Sequence, residues 1–132
     1  MTFTTAEIAY LESQPLGRLA TVAPDGTVQV NPVGVFVNAE LGTIDIGGHR
    51  MGRTKKFRNV RSGGKVALVV DDLVSTDPWT VRCLEIRGRA DALTDQPPPR
   101  PGFSPELIRI HPEVVFSYGI EDRPGMLRRA AA

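Results

Sequence analysis

The chain has very few residues of the kinds that form metal sites, disulfides or catalytic thiols. Its 132 residues include one cysteine, Cys83, and two histidines, His49 and His111. One cysteine cannot form an intramolecular disulfide, and these three side chains do not make up a metal-binding set. The serines, Ser104 and Ser117 among them, have no nucleophile-elbow sequence around them. The sequence therefore gives no support to metal-dependent or hydrolytic catalysis.

Long apolar runs are also absent. No stretch approaches the roughly 20 apolar residues that a membrane-spanning helix needs. The first residues, Met-Thr-Phe-Thr-Thr-Ala-Glu, lack the basic and apolar parts of a signal peptide. We therefore expect a cytoplasmic protein with no membrane partner. The apolar fraction of 41% is ordinary for a globular protein, and the length predicts one domain over 1–132.

Acidic residues are missing from one segment, between Asp45 and Asp71, which we call the basic segment (46–65). It carries seven of the sixteen positive charges: Arg50, Arg53, Lys55, Lys56, Arg58, Arg61 and Lys65. Because the net charge of the chain is only +1, the segment creates a local positive field. Flexible backbone at Gly47, Gly48 and Gly52, free N–H groups at a helix start and fixed cations together suit a phosphate group.

Two other interpretations of the basic segment stay open. A run of charge often forms a solvated helix face. Nucleic-acid binding is disfavoured, because no aromatic residues are interleaved with the charges and the pI of 7.9 is modest. We therefore expect no nucleic-acid partner.

The patterns predict two helices. Thr4 and Glu7 form a capping-box sequence that begins a helix over 5–13, which Pro15 limits. A second helix is predicted over 52–61, inside the basic segment, and the pair Gly63–Gly64 ends it.

Short strands make up most of the rest of the chain. They are predicted over 16–23, 28–37, 43–47, 65–70, 79–93, 107–110 and 114–120. Pro32 indicates a bulge or a sheet edge, and Asp71–Asp72 is expected to end the fourth strand. The stretch 96–105 is proline-rich and predicts an irregular connector, and 125–132 predicts a flexible tail. Six or seven strands with two short helices favour a mainly β fold, an antiparallel β-barrel with minor α content.

Four sequence segments, in this order, resemble a known family. They are GRLATVAPDG (17–26), QVNPVG (29–34), RTKKFRNVR with KVALVV (53–70), and RIHP with VFSYGI (109–120). They resemble the pyridoxamine 5′-phosphate oxidase-like split β-barrel, a flavin-binding class. Within it the chain is most similar to the small actinobacterial oxidoreductases that depend on the deazaflavin coenzyme F420.

The resemblance implies a homodimer with two cofactors at the subunit interface, each ring lying against backbone of the second strand. It also implies that the basic segment holds the phosphate end, and Lys56 matches the family's phosphate lysine best. The candidate cofactor-binding residues are Asn31, Pro32, Val33, Gly34, Gly47, Arg50, Arg53, Thr54, Lys55 and Lys56.

The expected activity is hydride transfer from coenzyme F420 to a small conjugated acceptor. Such chemistry needs few protein acids or bases, so we expect no catalytic side chain. Seven cations favour the longer, more acidic coenzyme F420 over FMN. The alternatives are an FMN-binding flavin reductase-like protein and a non-catalytic cofactor-binding protein.

The chain departs from the family in three respects. Relatives often carry a helix where this chain has the proline-rich stretch 96–105, and that helix often lines the substrate pocket. Tyr118 stands where relatives often have Trp. The residues that bind the substrate phosphate in true pyridoxamine phosphate oxidases are missing, so that activity is not expected.

His49 and Trp79 are each open to a structural role or to a place beside the cofactor.

Overall fold

A computed structural model describes residues 2–122 and 125–131 of the chain. It contains two α-helices, α1 (Thr5–Ser13) and α2 (Lys55–Gly63), and one 3₁₀ turn (Met51–Arg53) that precedes α2. The strands are β1 (Leu16–Val22), β2 (Val28–Gly34), β3 (Phe36–Asn38), β4 (Thr43–Ile46), β5 (Lys65–Thr76), β6 (Trp79–Leu93), β7 (Leu107–Tyr118) and β8 (Met126–Ala130). No helix in the described ranges is long and apolar enough to cross a membrane.

Helix α1 begins and ends where the sequence predicts. The Thr4 hydroxyl accepts a hydrogen bond from the Glu7 N–H at 3.1 Å, and the Glu7 carboxylate accepts one from the Thr4 N–H at 2.9 Å. This capping box satisfies two N–H groups that the first turn would otherwise leave unpaired. The buried Glu7 carboxylate also pairs with Arg129 of β8, so the helix start is linked to the end of the sheet.

All eight strands belong to one antiparallel sheet, which confirms the mainly β fold. The strands follow the order β2-β1-β5-β6-β7-β4-β3, and β8 pairs with the second half of β7. β2 and β3 lie at opposite ends of this order, yet Val35 alone separates them in sequence. The sheet must therefore curl until its two edges approach each other, which gives the half-barrel of a split β-barrel.

Alternate residues of the strands fill the concave side of the sheet. Fully buried strand residues include Leu19, Ile44, Ile46, Leu68, Val70, Leu84, Ile86, Ile108 and Ile110. Helix α2 adds Phe57 and Val60, three residues apart on its buried face, as the sequence predicts. Burial of each large apolar side chain stabilises the fold by about 1.5–3 kcal/mol.

Strand β5 does not end at Asp71–Asp72 but continues to Thr76. Asp71 pairs with Arg18 of β1 at 2.7 Å, and Asp72 accepts two hydrogen bonds from Arg82 of β6 at 2.7 and 3.0 Å. The guanidinium of Arg82 holds the pKa of Asp72 below its ordinary value. Because partners on neighbouring strands satisfy both carboxylates, the prediction that this pair ends the strand is wrong.

The last part of the sheet also differs from prediction. The strands expected over 107–110 and 114–120 form one strand, β7, because the β6–β7 register shifts between Arg87 and Gly88 and accommodates Pro112. The segment 126–130, inside the expected flexible tail, forms β8 against β7; Ala132 lies outside the described residues. The strand predicted over 28–37 is divided at Val35 into β2 and β3.

Gly88 is required by this register shift, and its replacement tests the packing of β6 against β7. A Cβ atom there would lie 2.2 Å from the carbonyl oxygen of His111, whereas a Cβ at Gly63, at the end of α2, would meet nothing within 4 Å. We expect Gly88→Ala to lower the free energy of unfolding by about 1–3 kcal/mol. Gly63→Ala, the control, should be neutral or slightly stabilising. Urea denaturation followed by circular dichroism measures both, and equal stabilities would contradict the proposed packing.

Candidate cofactor-binding site

The start of α2 offers unpaired backbone donors. Thr54 caps the helix, because its hydroxyl accepts from the Phe57 N–H at 3.2 Å and donates to the Met51 carbonyl at 2.7 Å. Lys55 and Lys56 are the first two residues of α2. Their N–H groups have no carbonyl acceptor in the described part of the chain. A helix start with free N–H groups favours a bound anion.

The cations of the basic segment lack carboxylate partners. Within the described ranges none of the seven has a carboxylate oxygen within 4 Å, whereas five arginines elsewhere do: Arg18, Arg82, Arg87, Arg109 and Arg129. Arg58 instead donates to the Arg53 carbonyl at 3.0 Å, and the Arg61 guanidinium lies 5.6 Å from the centre of the Phe57 ring. Apart from a longer-range attraction between Lys55 and Asp25, the positive charge of this region is therefore left for an external anion or for solvent.

Lys56 differs from its neighbour Lys55 in being half-buried. Burial lowers the pKa of its amine, and no described carboxylate lies close enough to compensate. A partly desolvated ammonium is costly unless it is paired. Among the candidate residues Lys56 therefore fits a phosphate partner best.

The predicted ring-binding strand lies at the open edge of the sheet. β2 pairs with β1 alone, and its register runs without a shift from Leu16↔Gly34 to Val22↔Val28. The edge position predicted from Pro32 is thus confirmed, and there is no bulge at this residue. An edge strand presents backbone groups that no neighbouring strand satisfies, which a planar polar ring can use.

The candidate residues of β2 face two different ways. Val33 is buried and Asn31 half-buried on the inner side, and the Asn31 amide forms no hydrogen bond in the described structure. Pro32 is exposed on the outer side together with Val28 and Val30. The inner side of β2 can therefore contact a ring through Asn31 and through backbone, but not through the Pro32 side chain.

Asn59 connects β2 to α2, and the sequence analysis did not single it out. Its buried amide donates to Thr21 at 3.1 Å and to Gln29 of β2 at 3.4 Å. Gln29 shares the inner side of β2 with Asn31, and Lys55 lies one helical turn before Asn59. The two parts of the predicted site are thereby brought side by side. The sequence offered one signal for this role: Asn59 is a polar residue between the predicted core positions Phe57 and Val60.

Gly47 has a different surrounding from the one expected. Its Cα faces the proline-rich connector, and a Cβ there would lie 2.8 Å from Phe103 and 3.2 Å from Pro99. The absent side chain is therefore needed for packing against the connector. Arg50 and Arg53 follow on the surface and are both exposed.

Two other side chains are clarified by the structure. Trp79 opens β6 at the tip of the β5–β6 hairpin and is 71% exposed, so it is not a core residue. Cys83 is half-buried in β6, and burial raises the pKa of its thiol, as for an unreactive cysteine.

Comparison with known proteins decides the family. Residues 4–125 match the pyridoxamine 5′-phosphate oxidase family. The chain belongs to this family. The resemblance drawn from the four sequence segments is thus confirmed, together with the split-barrel fold.

The chain is also similar to individual proteins of known sequence or structure. The chain is 48% identical over 122 residues to the 5a,11a-dehydrotetracycline/5a,11a-dehydrooxytetracycline reductase of Streptomyces rimosus, covering 92% of this chain and 86% of that one. A solved F420 reductase is 26% identical with a TM-score of 0.60, over 81% of this chain and 93% of that one. Protein Rv2991 of Mycobacterium tuberculosis, 21% identical with a TM-score of 0.69 over 95% and 91% of the two chains, shares the fold. The protein is accordingly an oxidoreductase of the family rather than pyridoxamine 5′-phosphate oxidase itself.

Thr54 was predicted to bind phosphate, yet its hydroxyl already serves as the helix cap. We expect Thr54→Ala to lower the free energy of unfolding by about 1 kcal/mol, because the Phe57 N–H loses its acceptor. Thr54→Ser keeps the hydroxyl and should restore most of that loss. Guanidinium denaturation of the three proteins without cofactor is the measurement. An alanine variant as stable as wild type would contradict the capping role.

Proposed function

We propose that the protein is a cytoplasmic, homodimeric reductase that uses coenzyme F420 to reduce a conjugated double bond in a planar small molecule. The observation that carries this proposal is the half-buried Lys56 amine at the start of α2, among seven cations that have no carboxylate oxygen within 4 Å in the described ranges. Asn59 of the same helix contacts the edge strand β2. The Streptomyces rimosus relative supports the reaction class and suggests a polycyclic acceptor of the dehydrotetracycline type.

The charge of the basic segment supports coenzyme F420 over FMN. A single terminal phosphate carries a charge of about −1.5 to −2 near neutral pH. Seven cations that lack a carboxylate within 4 Å in the described part of the chain exceed what one such group compensates, whereas a longer tail with several acidic groups can engage more of them. The F420 reductase among the solved structures points the same way. FMN remains the second candidate, since it also presents a phosphate and a planar ring.

The described residues supply binding and orientation. When bound, the deazaflavin supplies the hydride. The start of α2 and Lys56 hold the anionic end, while the inner side of β2, with the free Asn31 amide, orients the ring plane. No described cluster of His, Cys, Asp or Glu is arranged to hold a metal ion, and the proposed reaction needs none.

The outer face of β1, β2 and β5 supports a homodimer. Val28 and Val30 are 67% and 62% exposed, and the register places Ala20 between Val30 and Ala67 on the same face. Contiguous exposed apolar residues are typical of protein interfaces. Val30 and Asn31 point to opposite faces of β2, so a partner on this face would reach the proposed ring site across the open edge of the strand.

A charged residue at Val30 tests the dimer. We expect Val30→Glu to convert the protein to a monomer, because the carboxylate would be buried without a partner in the interface. Size-exclusion chromatography with light scattering gives the mass of each species. Thr27→Glu, at an exposed turn position before β2, is the control and should leave the mass unchanged. A monomeric wild type, or a variant that keeps the wild-type mass, would contradict this interface.

Lys56 tests the cofactor site. We expect wild-type protein to bind coenzyme F420 more tightly than FMN in parallel fluorescence titrations. Lys56→Met keeps the length of the side chain and removes its charge, so it should weaken coenzyme F420 binding by about 1–3 kcal/mol. Lys65→Met removes an exposed cation of the same segment at the start of β5, and its effect should be much smaller.

The outcomes of this titration separate the candidates. Tighter binding of FMN would show that the cofactor is the flavin rather than coenzyme F420. Binding of neither cofactor would show that the basic segment is a solvated helix face. Equal losses in the two methionine variants would show that only the overall field matters and that Lys56 has no specific contact.

A further inference from the structure

The proline-rich connector is fixed to the loop between β4 and α2. Ser104 donates through its N–H and its hydroxyl to the Gly48 carbonyl, at 2.9 and 3.1 Å, and its hydroxyl accepts from the Met51 N–H at 3.1 Å. The Glu106 carboxylate accepts from the Gly52 N–H at 3.1 Å. Residues 96 and 105 close the connector by a backbone hydrogen bond of 2.9 Å. These bonds hold the connector in one place against the basic segment.

The connector places one aromatic ring beside the candidate site. Phe103 meets Phe36 edge to face, with ring centres 6.0 Å apart, and meets His49 in the same way at 5.2 Å. Phe36 in turn lies against Gly34, where an added Cβ would be 3.4 Å from the Phe36 ring. The three rings, which we call the aromatic cluster, therefore join the end of β2 to the loop that precedes α2.

The aromatic cluster is only partly covered by protein. Phe36 and Phe103 are half-buried, and His49 is exposed. Rings fixed edge to face lose little further freedom when a flat ligand packs on them, and they offer a large apolar contact area. The hydrogen bonds of Ser104 and Glu106 and the packing of Phe103 on Gly47 fix the connector, and the part of the rings that stays uncovered is open to a ligand.

His49 adds one polar group with a defined orientation. Its Nδ1 lies 3.1 Å from the Gly102 carbonyl, which can only accept, so Nδ1 carries the proton. In the neutral ring this leaves Nε2 as a hydrogen-bond acceptor. A flat molecule packed on the cluster can thus donate a hydroxyl to Nε2.

We propose that the aromatic cluster is the binding wall for the acceptor, a planar conjugated polycycle that carries a hydroxyl group, with Phe103 as the specificity-determining residue. This inference rests on the proposed function, because it names where the reduced molecule lies. It assigns to the connector the role of lining the substrate pocket. Phe103 contacts the fused rings, and His49 accepts a hydrogen bond from the polar edge.

The test uses tetracycline as a planar, hydroxylated probe whose own fluorescence reports binding to the F420-loaded protein. We expect Phe103→Leu to weaken tetracycline binding by about three- to tenfold, since leucine keeps apolar packing but loses the ring contact. His49→Ala, at an exposed position, should weaken binding by a similar factor through loss of the hydrogen bond. Pro98→Ala, at an exposed position of the same connector, should bind tetracycline as wild type does. The affinity for coenzyme F420 should be unchanged in all three.

With 5a,11a-dehydrotetracycline as acceptor, the same two variants should raise KM more than they lower kcat. Tetracycline affinity equal to wild type in both Phe103→Leu and His49→Ala would overturn the proposal, as would wild-type protein that binds coenzyme F420 but not tetracycline. Failure of coenzyme F420 itself to bind would instead overturn the proposed function, and the two failures are therefore distinguishable. Thermal melts show whether Phe103→Leu is folded, and His49→Ala decides the question if it is not.

Discussion

The passage of the chain from β2 to β3 through the single residue Val35 constrains the rest of the structure. Because these strands lie at opposite edges of the sheet, one residue must bridge the two edges. The Val35 N–H donates to the Pro15 carbonyl at 3.1 Å, and its side chain is buried. A Cβ at Gly17 would lie 2.9 Å from that side chain, so the start of β1 has to carry the smallest residue there. The curl of the sheet brings the end of β2 beside Phe36 and so toward the connector.

The two sides of helix α2 have opposite effects on the stability of the protein. Its buried side contributes Phe57 and Val60 to the core. Burial of these two side chains stabilises the fold by more than the roughly 1 kcal/mol that the Thr54 cap contributes. Its other side concentrates cations that repel one another and have no described carboxylate partner. An anion bound only by the folded protein relieves that repulsion and stabilises the fold by mass action. The same charge that weakens the free protein therefore favours a liganded state.

Local patterns predicted the elements whose stabilising partners are close in sequence. The Thr4–Glu7 capping box determined the start of α1, and the glycines after Arg61 determined the end of α2, with Gly64 in the left-handed conformation. The number of short strands predicted the β-barrel, and the four family-like segments predicted its split form. Failures arose where the partner is distant: Asp72 stays in a strand because Arg82 pairs with it.

The candidate site divides in the same way. The charge of Lys56 and its position at a helix start can be read from the sequence, but its burial depends on the tertiary fold. Asn59 looks like an ordinary polar helix residue until Thr21 and Gln29 are seen beside it. Phe103 lies in a stretch whose composition predicts only an irregular connector, and its contacts with Phe36 and His49 are long-range.

The glycines of the basic segment show how the proposed anion site at the start of α2 is separated from the connector. The sequence assigned them to a flexible phosphate-binding backbone, yet Gly47 makes room for Phe103 and Gly52 makes room for Glu106. The contacts of the loop are thus taken up by the connector and by Glu106, and our proposal assigns anion binding to the start of α2. Cofactor affinity should then depend on α2 and acceptor choice on the connector. Since the connector contacts the loop rather than α2 through its described hydrogen bonds, its sequence can change without altering the charge to which we assign cofactor binding.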